Sequence, residues 1–307
     1  MTVDVFTDRI FGGNPLAVVL DAQGLNTMQM QAIAAEFNYA ETTFVLPPRV
    51  PDHSARVRIF TPRTEVPFAG HPNVGTAVVF ARQREAQGGS PLDRLVFEEA
   101  AGLVPIRLIR EQNRVVGAEF TAPENLAVGP IVGAAHVSEC LSLAAADISL
   151  ANHPPQVLSV GLPFLVAEIA TRDALKRAKP NAFAHERVLP LVGTDAIYAY
   201  CTGTTPQDLH ARMFSPLDGI VEDPATGSAA AAVISLLAAL RPDCDAQISW
   251  RIEQGFEMGR PSLIKGRTEK RNGVVTAVHI GGFAVQVMSG LIDLLGDPQL
   301  TKNKRVL

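Results

Sequence analysis

Cysteine is nearly missing from this chain. Its 307 residues hold three, Cys140, Cys201 and Cys244. They are odd in number and far apart, and no C-x-x-C pair occurs. That excludes a disulfide framework and a zinc knuckle and points to a reducing, cytoplasmic compartment. Excess charge is missing too. Lys and Arg total 27 against 31 Asp and Glu, a net charge of −4. This balance argues against nucleic-acid binding and against a polybasic membrane-surface protein. No apolar run is long enough to span a bilayer. The longest, Ser228 to Leu240, reads instead as a buried helix. The N-terminus carries Asp4, Asp8 and Arg9 but no continuous apolar stretch, so it does not read as a signal peptide. Cofactor fingerprints are likewise missing: there is no G-x-G-x-x-G after a strand, no P-loop and no G-x-S-x-G elbow. Histidines 53, 136, 153, 185, 210 and 279 show no metal-ligand spacing. No metal and no cofactor are expected.

What is present is enough for a core: 47% of residues are hydrophobic and 19% charged. At ~150 residues per domain the length favours two domains. Short Val-, Ile- and Phe-rich stretches bounded by Gly and Pro predict strands through both halves, among them Thr2–Phe6, Leu16–Leu20, Thr43–Leu46, Ala55–Phe60, Phe164–Ile169, Ile248–Gln254 and Val274–Ile280. Met30, Ile33, Ala34 and Phe37 at helical spacing predict a helix over Thr27–Phe37. The softest boundary is Pro123–Gly133, dividing the chain into domains 1–125 and 126–290, with a tail of about 290–307 free to pack back on the first.

The halves resemble each other. Phe60-Thr61-Pro62 and Phe214-Ser215-Pro216 each precede a [His/Asp]-Pro-x-x-Gly-[Thr/Ser]-Ala segment, with His71 and Asp223 matching 152 residues apart. Upstream, Gly13-Asn14-Pro15-Leu16 matches Gly161-Leu162-Pro163-Phe164 at an offset of 148. Two signatures at nearly one offset indicate a duplicated α+β domain. Asp223-Pro224 reads as the cap and first turn of the helix that continues into Ser228 to Leu240, and His71-Pro72 begins its counterpart. A buried helix N-terminus attracts an anion. Gly75 and Gly227 would admit a ligand close to the backbone, and Thr76 and Ser228 would add hydroxyls. If a pseudo-twofold axis relates the halves, both N-termini face one cleft that suits a small carboxylate. Plain helix capping is the alternative. Glu41, between a helix end and a strand entering the core, is placed to be partly desolvated and so to work as a general acid or base, although a surface Glu at a strand edge fits the local sequence as well.

Taken together, Phe11 to Pro15, Asn38 to Phe44, Phe60-Thr61-Pro62, Gly70-His71-Pro72, Glu222 to Ala229 and Gln254 to Ser262 resemble the PhzF-like phenazine-biosynthesis isomerase family, in order over most of the chain. The resemblance implies a diaminopimelate-epimerase-like α+β fold. Its two pseudo-symmetric domains are each a barrel-like, mostly antiparallel sheet around a central helix, and the site lies between them. It implies isomerisation of a small carboxylate, as with trans-2,3-dihydro-3-hydroxyanthranilate, by moving a proton without a cofactor. Glu41 falls on the family's catalytic glutamate, His71 and Asp223 on its cleft-lining pair, and Gly70, Gly227 and Ser228 on its carboxylate-binding backbone. Asn14 and Thr76 are further expected substrate contacts. A homodimer is implied. The chain departs from the epimerase relatives in placing no cysteine at either helix N-terminus. It departs from the phenazine isomerase in carrying Ala40 where that enzyme has serine. A single-carbon epimerase and a non-catalytic binder remain the alternatives.

Overall fold

The computed structural model describes residues 1–293. The tail expected over about 290–307 therefore lies almost wholly outside the described residues. In chain order the elements are β1 (Thr2–Val5), β2 (Asn14–Val19), α1 (Thr27–Phe37), β3 (Glu41–Leu46), β4 (Ala55–Phe60), β5 (Glu65–Val66), α2 (Gly70–Ala86), β6 (Arg94–Glu99), β7 (Gly102–Glu111), β8 (Arg114–Thr121) and β9 (Ala127–Ile131). Then follow α3 (Ala134–Cys140), β10 (Gln156–Ser159), β11 (Pro163–Glu168), α4 (Arg172–Arg177), α5 (Ala182–Val188), β12 (Ile197–Thr202), β13 (Asp208–Ser215), β14 (Ile220–Asp223), α6 (Gly227–Leu240), β15 (Ala246–Gln254), β16 (Ser262–Arg271) and β17 (Val274–Met288).

Pairing makes two barrels. Strands β1, β2, β3, β4, β6, β7, β8 and β17 form a closed ring around α2, since β17 pairs with both β8 and β1. Strands β9 to β13 with β15, β16 and β17 repeat that order around α6. The parallel pairs recur as well: β2 with β3 and β4 with β6 in the first half, β11 with β12 and β13 with β15 in the second. Each half lends the other a closing strand. Strand β9 follows β8 but pairs with β10, and the end of β17 leaves β16 to pair with β1.

The central helices look unlike surface helices for a physical reason. Ala229 to Ile234 are all fully buried, so α6 has no polar face there to expose. In α2, Gly75 keeps the helix close to the strands. A Cβ there would lie 2.6 Å from Leu16 Cδ2 and 2.7 Å from Val5 Cγ2. The halves also share a clamp that the sequence comparison missed. Arg58 grips Glu65 through Nε and Nη2 at 2.7 and 2.6 Å, and Arg212 grips Glu222 at 2.7 and 2.8 Å. Each guanidinium lies over the Phe two residues on, Phe60 at 5.0 Å and Phe214 at 4.8 Å.

This geometry corrects the register of the repeat. Glu65 matches Glu222 and Gly70 matches Gly227, so across the helix starts the offset is 157 residues rather than 152. His71 is the counterpart of Ser228, and Asp223 that of Val66. Asp223 is also not the cap of α6. It ends β14, and the cap position belongs to Thr226, because the Asp223 carboxylate is held by Asn14 and Thr226 before the helix begins.

Candidate active site

A cleft of about 1020 Å³ runs between the halves where the two helix N-termini meet. They approach so closely that a Cβ on Gly70 would lie 3.2 Å from both Gly227 Cα and Ser228 N. Neither helix has a side-chain cap, whereas Asn26, Thr171 and Asn181 cap α1, α4 and α5. The first-turn N–H groups of α2 and α6 are thus left for something else, and they carry the positive ends of two helix dipoles into one place.

The expected titratable side chains Glu41, His71 and Asp223 all line this cleft. Glu41 opens β3 just after α1 ends on Asn38, whose left-handed φ of 52° turns the chain. The Glu41 side chain keeps 19% exposure, and its Oε2 stands 3.5 Å from His71 Nε2. That spacing is too long for a good hydrogen bond, and both atoms are buried without a partner. Burial first, and the Asp223 charge second, push the Glu41 carboxyl up to about 8. Burial also pulls His71 down to about 3, so its imidazole is neutral at pH 7. This contact is therefore a neutral pair, not a salt bridge. Asp223 arrives from the other half. Burial pushes it up to about 6, against the opposing hydrogen bonds from Thr226 and Asn14.

Asp223 is the most firmly held of the three. Asn14 Nδ2 donates to its Oδ1 at 2.8 Å and to the Ala225 carbonyl at 2.9 Å. Thr226 Oγ1 donates to its Oδ2 at 2.5 Å. Gln254 Nε2 donates to the Asp223 carbonyl at 2.8 Å, while Gln254 Oε1 accepts from Thr226 N at 3.2 Å.

The expected contacts fare unevenly. Gly70, Gly227 and Ser228 line the cleft. Asn14 lines it too, but its amide nitrogen is spent on Asp223 and Ala225, so it orients Asp223. Thr76 does not belong to the site. It lies one turn deeper in α2, fully buried, with its hydroxyl 2.8 Å from that of Thr43. Gly75 is turned into the barrel in the same way. Sequence reading passed over Gln254 and Thr226, although both stand in blocks that carried the family resemblance. It assigned no role to Arg260, which ties the loop 255–261 to Asp4 and to the carbonyls of Gly12 and Gly13.

A family model described as phenazine biosynthesis-like protein matches residues 3–290. The chain belongs to that family. An uncharacterized isomerase of Mesorhizobium japonicum is 40% identical over 297 residues, covering 94% of this chain and 96% of its own. The trans-2,3-dihydro-3-hydroxyanthranilate isomerase of Pseudomonas aeruginosa is 35% identical, covering 94% and 97%. Among solved structures, the PhzF-family phenazine biosynthesis protein of Bacillus anthracis superposes with a TM-score of 0.82 at 27% identity, covering 94% and 96%. The chain is an isomerase of the PhzF type, on the diaminopimelate-epimerase-like α+β fold, and enzymes of this family act on small molecules. No helix among the described residues is long and apolar enough to cross a membrane.

Proposed function

We propose that this cleft is the active site of an isomerase that moves a proton along a small, unsaturated carboxylate, with Glu41 as the proton carrier. One observation supports this above the rest. A carboxyl pushed up to about 8 faces the cleft beside a neutral imidazole, next to two uncapped helix N-termini. Such an isomerisation is redox-neutral, so acid–base groups suffice without a cofactor.

The substrate carboxylate sits at the Gly70 and Gly227–Ser228 turns, where backbone N–H groups bind it and stabilise the charge that develops on deprotonation. Ionised Glu41 takes a proton from carbon. The electron pair shifts into the conjugated system, and Glu41 returns the proton farther along. His71, neutral and 3.5 Å from Glu41, and Asp223, clamped from three sides, orient the substrate or carry a second proton. The substrate named for the relative from Pseudomonas aeruginosa, trans-2,3-dihydro-3-hydroxyanthranilate, is the first to try. Incubated with this protein in heavy water, it should give new NMR signals at a shifted ring position, with deuterium incorporated there. No conversion by folded protein would reject that substrate.

A second reading rests on the placement of Glu41 and Asp223, which come from opposite halves with both carboxyls raised. Two such groups suit removal and return of a proton at one carbon, an epimerisation. Deuterium exchange with inversion and no double-bond migration would favour it.

A further inference from the structure

Glu99 is a buried carboxyl outside the cleft. It ends β6, as Gln254 ends β15. The two positions are equivalent: in the matching parallel pairs, Ala55 stands opposite Phe97 and Leu209 opposite Ile252, so that Glu99 and Gln254 each follow two residues later. Gln254 has a visible task. Its amide holds the loop that leads into α6, donating to the Asp223 carbonyl and accepting from Thr226 N. Glu99 faces the loop that leads into α2. Two residues beyond it, Ala101 N donates to the Pro67 carbonyl at 3.1 Å in that loop.

The polar atoms around Glu99 do not balance. Both of its carboxyl oxygens are buried without a hydrogen-bond donor, and so is Asn73 Oδ1. The Asn73 amide nitrogen is already spent, donating to the Ala69 carbonyl at 3.0 Å. Burial pushes the Glu99 carboxyl up to about 8, against a side-chain hydrogen bond from Asn73 that falls short of satisfying either oxygen. No charged neighbour figures among the causes of that shift. Three acceptors without a well-placed donor form an expensive arrangement, because each buried unsatisfied polar atom keeps most of its desolvation cost. One proton on Glu99, donated to Asn73 Oδ1, removes most of that cost. Were Glu99 ionised, the Asn73 amide would be drawn to turn its nitrogen toward the carboxylate and release Ala69.

We propose that Glu99 is held protonated as the first half's counterpart of Gln254, a positioning residue that fixes Asn73 and, through it, the Ala69–Gly70–His71 turn. A neutral carboxyl and a carboxamide have the same shape, and each can donate one hydrogen bond while accepting another. The consequence for ligand binding rests on the reading of that turn as part of a carboxylate cradle.

Infrared difference spectroscopy at pH 7, wild type minus Glu99→Gln, should show the carbonyl stretch of a protonated carboxylic acid. A purely carboxylate difference would overturn the proposal. Calorimetric titration with anthranilate, as a small carboxylate probe, should give the same Kd for wild type and Glu99→Gln. Glu99→Ala should bind about tenfold more weakly. Equal affinity in Glu99→Ala would remove the positioning role, and weak binding in Glu99→Gln would remove the amide equivalence. If the wild type does not take up anthranilate, the cradle reading fails on its own. The infrared result and the NMR shift of the Gly70 amide, unchanged in Glu99→Gln and moved in Glu99→Ala, still decide Glu99. Should Glu99→Ala not fold, Glu99→Gln and the infrared band remain decisive.

Discussion

At the scale of residues, duplication has been followed by division of labour. The position of Glu41 in the first half is Ala196 in the second, that of His71 is Ser228, and that of Asp223 is Val66, as the strand pairings and helix starts align them. Each half keeps only part of the proposed acid–base set, so one asymmetric candidate site results from a nearly symmetric frame. If Glu41 carries the proton, Glu41→Gln should lower kcat by about 10²- to 10⁴-fold, the range for losing a general acid–base group. Anthranilate affinity should barely change, and steady-state rates with calorimetric titration would check both. If its ionised form starts the reaction, kcat/KM of the wild type should climb with pH and level off above about 8. Asp223→Asn removes a negative neighbour that opposes Glu41 ionisation, so Glu41 should ionise more easily and the climb should shift to lower pH. A profile that falls through this range would mean that Glu41 acts first as an acid. A climb that stays put in Asp223→Asn would show the two carboxyls to be uncoupled.

At the scale of elements, the Gly70–Gly227 approach sets how tightly the two helix N-termini converge. Gly70→Ala would place a methyl group 3.2 Å from backbone atoms of Gly227 and Ser228, which cannot swing aside as a side chain can. Anthranilate affinity should fall about tenfold, and the thermal midpoint should drop by the equivalent of about 1–3 kcal/mol of overpacking. Calorimetry reads both. Gln254→Ala should unseat Asp223 and Thr226 together, since it strips buried partners from both. Much at this scale was legible in the sequence. The α1 helix, most barrel strands, the buried α6 and the pairing of two helix starts follow from apolar periodicity, Gly and Pro punctuation and one all-apolar run. Other parts were not. The α3, α4 and α5 helices span only six or seven residues, too few for a period to show. The expected strand ends at Ile280, whereas β17 runs on through Gly281 and Gly282, a close crossing, to Met288. A Cβ on Gly281 would lie 2.6 Å from the Ala118 carbonyl. The shared Pro-x-x-Gly pattern puts the repeat five residues out of register, whereas the fold aligns the Arg–Glu clamps and the glycines that touch. Glu41, His71 and Asp223 were legible as candidates. Their holders, Gln254 and Thr226, act through contacts that no local pattern displays.

At the scale of the whole molecule, the site is built at the expense of stability above neutrality. Glu41 and Glu99 are pushed up to about 8 and Asp223 to about 6, so the folded chain retains protons that the unfolded chain would release. The stability they contribute is full below the ordinary carboxylate range and is lost as pH rises, through about 6 for Asp223 and about 8 for the two glutamates. Glu98 runs the other way. Backbone N–H groups of Arg49 and Val50 and the His53 ring hold it down to about 2, so its contribution is lost only in acid. Glu41→Gln should therefore melt higher than the wild type, by a margin that widens between pH 5 and pH 9 in scanning calorimetry. A constant margin would mean that Glu41 ionises as freely in the fold as out of it. The two closing strands carry a different consequence, one about assembly. A chain holding only the first half would leave β1 and β8 as open edges, and its trailing β9 would have no partner of its own. Two such chains could satisfy each other by exchanging that last strand, each sealing the other's barrel, the arrangement known as domain swapping. A single-repeat chain of this kind would thus complete its barrel as an intertwined pair, with twofold symmetry through its cleft. Joining two repeats in one chain keeps the exchange and leaves the two sides of the cleft free to differ.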